Sequence, residues 1–211
     1  HRVNALKKIC EIEIIVINDG SNDNSKKIIQ SNSQYYSKFI DLKKNFGKGR
    51  AVIEGIKSCT YEYLLIQDAD LEYDPQDIAT FIEDNSKNNF DIIMGSRFIG
   101  NKRTVLHFWH MLGNKFITFL FNFLNNTTFS DIYCCYCMFK KDLINVQKLN
   151  CNGWGQQAEI LTYAVSNKSK IFEIGVNYRG RNYDEGKKIR YYDVFGVIYW
   201  IIFTRIKKLF L

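Results

Sequence analysis

The sequence predicts an α/β fold with a mostly parallel central sheet and helices on both of its faces. Three observations lead to this prediction. Short β-branched runs alternate with segments of helical periodicity, which is the pattern of strand-helix-strand units. Apolar residues make up 46% of the 211 residues, enough to bury a sizeable core. Polar residues directly follow several predicted strands, where parallel sheets bind their ligands.

The predicted strands are short, apolar and bounded by turn residues. The first, 11–18, ends in Asp-Gly-Ser, which is a turn signal. A later run, 131–139, carries several Cys residues that can act as small hydrophobes in a buried strand. The strands expected in order are 11–18, 38–42, 61–67, 90–95 and 131–139.

The predicted helices follow from apolar residues spaced three or four positions apart. Pro75 marks the start of one helix, because proline fits the first turn. Two later segments are apolar and aromatic, and each fits either a helix packed on the core or an interfacial helix. The last of them ends in basic residues, as interfacial helices do. The helices expected are 1–9 (the tail of a helix), 23–31, 49–58, 75–87, 105–124 and 193–211.

The positive charge is concentrated at the carboxyl end of the chain. The net charge is +7, and residues 179–211 contain eight basic against three acidic residues. This excess fits a nucleic acid, a membrane surface or phosphorylated substrates. No nucleic-acid-binding module is recognisable, so nucleic acid is not an expected partner.

Six Cys residues raise the question of a metal or redox site. Cys134 and Cys137 have a C-x-x-C spacing, but no second pair or nearby His completes a zinc site. The sequence therefore favours reduced, buried thiols.

Carboxylates crowd together after the third predicted strand. Asp68 and Asp70 form a D-x-D pair around Ala69, and Glu72 follows. Such hard oxygen ligands suit Mg²⁺ or Mn²⁺ bound together with phosphates. Asp19 ends the first strand, and Lys48 lies in a Gly-bearing loop that can approach a phosphate.

Six motifs in this order resemble those of the family 2 glycosyltransferases. More narrowly they resemble the dolichyl- or polyprenyl-phosphate hexose synthases, which transfer mannose or glucose. The motifs are IVINDGSNDNS, NFGKGRAVIEGI, LLIQDADLEYDP, IIMGSRF, HMLGNKFITFLFN and YRGRNYDEGKKI.

The resemblance implies the nucleotide-diphospho-sugar transferase fold, called GT-A and Rossmann-like. Residues 1–178 would form the catalytic domain. Residues 179–211 would add, within the same domain, a phosphate-binding loop and an amphipathic helix at the membrane surface. The family's first strand has no counterpart before residue 11, so we expect that strand to be missing from the chain.

The resemblance also assigns roles to individual residues. The donor would contact Asp19, Lys48, Asp68, Ala69 and Asp70. The divalent cation, Mg²⁺ or Mn²⁺, would be bound by Asp68, Asp70 and Glu72. The acceptor phosphate would be bound by Arg97, Arg103, Arg181 and Lys187. The residues expected to be catalytic are Asp70, Arg97 and Arg103.

The expected reaction is an inverting transfer of a hexose from UDP-glucose or GDP-mannose to a polyprenyl phosphate. The protein would lie peripherally on the cytoplasmic face of an anionic membrane. One alternative is transfer to a saccharide hydroxyl in cell-surface polysaccharide synthesis, which needs a general base such as Asp131 or Glu159. Another is a non-catalytic sugar-nucleotide-binding protein, because Asn18 and the run 133–137 depart from the family pattern.

Overall fold

The computed structural model describes residues 2–100, 108–181 and 192–210, which form a mixed α/β fold, as the sequence predicts. A short 3₁₀ helix at Val3–Lys8 precedes the first strand. The strands are β1 (Ile15–Asn18), β2 (Lys38–Asp41), β3 (Tyr63–Leu65), β4 (Ile92–Ser96), β5 (Cys137–Lys140) and β6 (Ile171–Gly175). The α-helices are α1 (Ser25–Gln30), α2 (Lys48–Ser58), α3 (Asp77–Asn88), α4 (Phe108–Asn125), α5 (Gln156–Ala164) and α6 (Asp193–Leu209).

The strands belong to two hydrogen-bonded groups. β1 and β2 pair in parallel, with Ile15 opposite Lys38. The other four strands follow the order β3-β5-β4-β6. In this sheet β4 and β6 are parallel, whereas β5 is antiparallel to both β3 and β4. Three of the four strands therefore share one direction, and their carboxyl ends meet at one edge.

The predicted strand at 131–139 is shorter than expected, because β5 begins only at Cys137. Side chains, rather than a neighbouring strand, satisfy backbone amides in the preceding segment. The amide of Tyr133 donates to Asp131 Oδ1 at 3.2 Å, and that of Cys135 donates to Tyr73 Oη at 3.2 Å. Because side chains accept these amide hydrogens, residues 131–136 form a loop instead of a strand.

Two elements of the fold, α5 and β6, were not predicted. All but one of the nine residues of α5 are buried, so the helix lacks the alternation of apolar and polar faces on which periodicity depends. β6 pairs with β4 along its whole length, with Met94 opposite Glu173. Its burial is partial and irregular, which gives no strict two-residue alternation.

The core lies between the four-stranded sheet and its helices. Phe81, Phe121, Phe139 and Ile201 are fully buried there. α6 packs against both α4 and α5, and α2 packs against β1.

Among the described residues, we find no helix that combines the length and hydrophobicity needed to cross a membrane.

Candidate active site

The three carboxylates predicted to bind a metal lie together in the loop that follows β3. Asp70 Oδ1 accepts the backbone N–H of Glu72 at 3.1 Å, which folds the loop into a tight turn. Burial, reinforced by the negative charges of Glu72 and Asp68, raises the pKa of Asp70 above its ordinary value. The crowding favours any cation that can lie between these groups.

Two side-chain cations of the protein itself contact these carboxylates. Lys48 Nζ lies 2.7 Å from Asp68 Oδ2. Arg181 bridges the other two, with Nη2 2.7 Å from Asp70 Oδ2 and Nε 3.0 Å from Glu72 Oε1. The chain thus brings together residues that are more than 100 positions apart in sequence.

The donor set fits Mg²⁺ or Mn²⁺ in its chemistry, since all candidate ligands are carboxylate oxygens. Over residues 2–100, 108–181 and 192–210, no three acidic, His or Cys side chains are already arranged as a metal cluster. Arg181 contacts one oxygen of Asp70 and one of Glu72, two of the carboxylates that would hold a metal. A divalent cation would therefore replace Arg181 as the counter-charge of these two carboxylates.

The segment that carries Arg181 is fixed along the D-x-D loop by Glu72. The backbone oxygen of Glu72 accepts the N–H of Arg179 at 2.8 Å, and its Oε1 accepts the N–H of Arg181 at 3.0 Å. The hydroxyl of Tyr178 lies 3.3 Å from Glu72 Oε2. Glu72 is thus a structural partner of this segment as well as a candidate metal ligand.

Arg97, a predicted acceptor residue, is engaged by Asp131. Its guanidinium makes a bidentate pair, with Nε 2.7 Å from Oδ2 and Nη2 2.9 Å from Oδ1. The backbone N–H of Arg97 also donates to Asp131 Oδ2 at 3.1 Å. The Asp131 side chain is fully buried and that of Arg97 is 10% exposed. Although burial opposes the charged form, Asp131 holds the pKa of Arg97 above its ordinary value.

Tyr178 connects this buried pair to the carboxylate cluster. Its ring centroid lies 5.2 Å from the Arg97 guanidinium carbon, and its hydroxyl reaches Glu72. Tyr178 was not among the predicted site residues. Its sequence signal is its place in the YRGR stretch, two residues before Gly180 and three before Arg181.

Asp19, predicted to contact the donor nucleoside, holds the loop before α2. Its Oδ1 accepts the backbone N–H of Phe46 at 2.9 Å, and its Oδ2 accepts that of Gly47 at 2.8 Å. Asn18 is buried and donates to Asp41 Oδ1 at 2.7 Å, which links the ends of β1 and β2. These contacts give both residues a structural role next to the site.

The loop that presents Lys48 is packed against the loop before α5. The N–H of Gly49 donates to the backbone oxygen of Asn152 at 2.8 Å. Lys48 Nζ lies 5.8 Å from the ring centroid of Trp154, within range of a cation–π contact. Trp154 is a site residue that the sequence reasoning missed, although its position between two glycines was a signal for a turn.

Glu159 binds the backbone of the loop before α5. It is 1% exposed, and its carboxylate accepts the backbone N–H groups of Asn150 and Cys151 at 2.9 Å each. Burial raises the pKa of Glu159, and the two amide donors act in the opposite direction. These contacts favour a structural role for Glu159, as a cap of the loop, over the role of general base.

The Cys-rich segment contributes to the D-x-D loop. Cys135 Sγ accepts the N–H of Asp68 at 3.3 Å. Tyr136 Oη donates to Gln67 Oε1 at 2.6 Å, and Gln67 Nε2 donates to the backbone oxygen of Asp68 at 2.8 Å. All six cysteines are free, and burial raises the pKa of Cys137 to about 12. The segment therefore acts as packing and support.

Most of the predicted site residues lie close to one another in the structure, and two of them lie outside the described residues. The residues joined by direct contacts are Lys48, Asp68, Asp70, Glu72 and Arg181, with Ala69 inside the D-x-D turn. Arg97 and Asp131 adjoin them through Tyr178. Arg103 and Lys187 lie outside the described residues.

Several solved structures share this fold. Glucosyl-3-phosphoglycerate synthase of Mycobacterium tuberculosis superposes with a TM-score of 0.66 at 12% identity, over 97% of this chain and 73% of that one. The same enzyme with Mn²⁺, UDP-glucose and phosphoglyceric acid gives a TM-score of 0.64, with 12% identity and coverage of 97% and 74%. TarS 1–349 of S. aureus with UDP-GlcNAc gives 0.58 at 15% identity, covering 91% and 57%. The fold is therefore the GT-A nucleotide-diphospho-sugar transferase fold.

Curated relatives match a shorter region at higher identity. Poly-β-1,6-N-acetyl-D-glucosamine synthase of Staphylococcus epidermidis is 43% identical over 98 residues, which is 46% of this chain and 24% of that protein. The synthase of the same name from Staphylococcus aureus is 37% identical over 99 residues, covering 44% and 23%. The matched region spans about a quarter of the length of these relatives.

The family model named Glycosyl transferase family 2 matches residues 1–146. This is more than half of the chain, and it contains the D-x-D loop, Lys48 and the Arg97–Asp131 pair. The chain belongs to glycosyltransferase family 2.

Proposed function

We propose that the chain is the catalytic part of a glycosyltransferase that moves a sugar from a UDP-sugar to a saccharide hydroxyl. The observation that carries the proposal is the cluster of Asp68, Asp70 and Glu72 at the sheet edge of a family 2 chain. The names of the relatives support the choice of substrates, since they include a poly-N-acetylglucosamine synthase and a UDP-GlcNAc complex.

On the donor side, the cluster suits a leaving nucleoside diphosphate. The bond between the anomeric carbon and the diphosphate oxygen breaks, and negative charge develops on the diphosphate. Mg²⁺ or Mn²⁺, when bound through Asp70 and Glu72, supplies Lewis-acid stabilisation of that charge. Arg181 and Lys48, which contact these carboxylates, would be the cations available to neutralise phosphate oxygens of a bound donor.

On the acceptor side, the balance of charge favours a neutral group. Among the described residues, the cations Lys48, Arg97 and Arg181 face the carboxylates of Asp68, Asp70, Glu72 and Asp131. The two positive charges of a divalent metal offset the roughly two negative charges of the donor diphosphate. The net charge of these side chains therefore stays slightly negative. A phosphate monoester, with its charge of about −1.5 to −2, would be repelled by such a set. A saccharide hydroxyl would not be.

Transfer to a hydroxyl requires a general base, and we assign this role to Asp131 rather than Glu159. Two backbone amides donate to each of these carboxylates, but Asp131 adjoins the carboxylate cluster through Arg97 and Tyr178. Asp131 becomes available to the acceptor only when Arg97 turns away from it, so acceptor binding must open this pair.

Transfer to a polyprenyl phosphate is the second candidate function, and one specific observation favours it. α4 and α6 expose many large apolar side chains, as a protein that meets a lipid substrate would. In this case Arg103 and Lys187 would supply the cations that Arg97, paired with Asp131, does not.

An acceptor screen tests the proposal. The protein with Mn²⁺ would be offered UDP-GlcNAc, UDP-glucose or GDP-mannose, each with a β-linked oligosaccharide or with a polyprenyl phosphate in detergent. Labelled sugar in a lengthened, water-soluble oligosaccharide is the expected result. Labelled sugar only in the organic phase would favour the second candidate. UDP binding without transfer to either acceptor would favour the non-catalytic alternative.

A further inference from the structure

The strand β6 carries a partly buried carboxylate, Glu173, which belongs neither to the candidate metal ligands nor to the buried ion pair. Glu173 lies opposite Met94, which is fully buried in β4. Charged residues are uncommon at such positions unless they are paired. Both oxygens of Glu173 accept the backbone N–H of Ser130, Oε1 at 2.9 Å and Oε2 at 3.0 Å. Glu173 therefore binds the residue that directly precedes Asp131.

Two serine hydroxyls extend this contact, because each member of the buried ion pair follows a serine in the chain. The Oγ atoms of Ser96 and Ser130 lie 2.6 Å apart. Ser130 Oγ donates to Glu173 Oε1 at 3.3 Å, and Ser96 Oγ accepts the N–H of Phe98 at 3.1 Å. Ser130 has one hydroxyl hydrogen, which points to the carboxylate, so the hydroxyl of Ser96 donates to Ser130. The hydrogen bonds thus run in one direction and end at Glu173.

The hydrogen-bond chain runs from the interior to the partly buried side of β6. Ser96 and Asp131 are fully buried, whereas Ser130 and Glu173 are partly buried. Burial raises the pKa of Glu173, and the backbone N–H groups of Ser130 and Asp131 act in the opposite direction. Loss of the acceptor at the end of the chain would leave the amide and the hydroxyl of Ser130 without this partner. The two serines and Glu173 therefore act as one unit.

The hydrogen-bond chain matters most when the ion pair opens. While the pair is closed, the guanidinium of Arg97 fixes the carboxylate of Asp131 through two contacts. When the guanidinium turns away, Asp131 keeps the backbone N–H groups of Arg97 and Tyr133, which lie at 3.1 and 3.2 Å. The place of the carboxylate then depends on the backbone that carries it. That backbone is bound at Ser130 by Glu173.

We propose that Glu173 is a positioning residue for the transfer reaction and acts on Asp131 through Ser130. Ser96 links the same unit to the backbone of Arg97. Glu173 keeps Asp131 in place while the ion pair opens, so that the carboxylate meets the acceptor hydroxyl in an orientation suited to proton transfer. This inference rests on the proposed function, in which Asp131 is the general base. A displaced general base slows the reaction without weakening donor binding, which gives the role a kinetic signature.

Transfer kinetics with UDP-GlcNAc, Mn²⁺ and a β-linked oligosaccharide test the inference. Glu173→Gln replaces one acceptor oxygen by an amide NH₂ group, and Ser96→Ala interrupts the hydroxyl chain. We expect kcat to fall roughly ten- to hundredfold in Glu173→Gln and less in Ser96→Ala, with KM for the donor unchanged. Ser166→Ala is the matched control, because the Ser166 hydroxyl also pairs with a serine, Ser169 at 2.9 Å, in an exposed loop. It should retain both kinetic constants.

A measurement on the chain without substrates separates this inference from the proposed function. In ¹⁵N nuclear magnetic resonance spectra, exchange of the Arg97 Nε–H with solvent reports how often its pair with Asp131 opens. Exchange should be roughly tenfold faster in Glu173→Gln and unchanged in Ser166→Ala, with native circular dichroism in both. If Glu173→Gln does not fold, Ser96→Ala replaces it in both experiments.

The two measurements together decide between the outcomes. Faster exchange in the variant, with no transfer even by the wild-type chain, would contradict the proposed function but support the hold of Glu173 on Asp131. Transfer by the wild-type chain with an equal kcat in Glu173→Gln would overturn the inference and leave the proposed function standing. Equal exchange rates in all variants, or a rise in KM for the donor without a loss of kcat, would also overturn the inference.

Discussion

At the scale of single residues, Arg181 occupies the place in which a divalent cation is expected, between Asp70 and Glu72. A positive side chain there compensates the crowded carboxylates when no metal is bound. Under the proposed function, the same residue would meet the donor phosphates when a metal is bound. Arg181 would then link metal binding to donor binding.

The first prediction concerns this competition. Arg181→Met should raise the affinity for Mn²⁺ in the absence of donor by about tenfold, because the metal no longer has to displace a guanidinium. Titration of free Mn²⁺ by electron paramagnetic resonance measures this change. Arg179→Met is the control, since Arg179 is exposed and lies two residues away. Equal Mn²⁺ affinities in both variants and the wild-type chain would contradict the proposed competition.

A second prediction concerns Glu159. Glu159→Ala leaves the backbone amides of Asn150 and Cys151 without this acceptor and should lower the free energy of unfolding by about 2–4 kcal/mol. Glu159→Gln keeps an oxygen acceptor and should lose less. Urea denaturation measures both, with the exposed Glu62→Ala as a control expected within about 0.5 kcal/mol of the wild-type chain. A neutral Glu159→Ala variant would show that the loop is held by other contacts.

At the scale of elements, the start of α2 is positioned by a close approach of two loops. A Cβ added to Gly49 would lie 2.1 Å from the backbone oxygen of Cys151 and 2.8 Å from the carbonyl carbon of Asn152. The three nearest atoms are all backbone atoms, so no flexible side chain can move aside. The distance between Lys48 and Asp68 thus depends on the glycine that follows Lys48.

The third prediction compares two Gly→Ala substitutions in helices. Gly49→Ala should destabilise the fold by roughly 1–3 kcal/mol and reduce transfer, since the clash moves Lys48 away from Asp68. Gly113→Ala, in the interior of α4 with no atom within 4 Å of the new Cβ, should stabilise the fold by about 0.5–1 kcal/mol. Thermal melts and transfer assays measure both. A Gly49→Ala variant as stable and active as the wild-type chain would contradict this account of the loop.

At the scale of the whole molecule, the site connects two groups of strands. Asp19 follows β1 and holds the loop from which Lys48 reaches Asp68, beyond the four-stranded sheet. A ligand that contacts Lys48 and the D-x-D loop therefore also stabilises the association of the two groups. Binding should be visible as stability of the entire chain.

The fourth prediction follows from this connection. UDP with Mn²⁺ at about 100 times its dissociation constant should raise the free energy of unfolding by about 2.7 kcal/mol. Asp70→Asn should remove most of this gain and lower transfer by roughly 100-fold or more, because the metal loses a ligand. Asp142→Asn, at an exposed aspartate in the short 3₁₀ helix Lys141–Leu143, should retain both. Full transfer activity of Asp70→Asn with metal present would contradict the assignment of Asp70.

The extent to which sequence could predict the molecule differs between its parts. β1, β2, α2 and α3 were predicted because their periodicity or turn residues lie within a few positions of one another. α5 was not, since a helix buried on all sides has no polar face to reveal its period. Residues 131–136 were predicted to be part of a strand, because apolar residues and cysteines are typical of buried strands. Their identity does not reveal that the amide of Cys135 donates to a tyrosine hydroxyl instead of a neighbouring strand.

The sequence by itself determined the α/β class, the family motifs and the carboxylate-rich loop, all of which are local patterns. Only the tertiary structure decided how the charges pair: Arg97 with Asp131, Arg181 with Asp70 and Glu72, and Glu159 with two amides. It also packed α4 against α6, two helices that both keep exposed apolar residues. The physical reason is that charges interact according to their distance in space. Residues 111 positions apart in sequence become neighbours only in the folded chain.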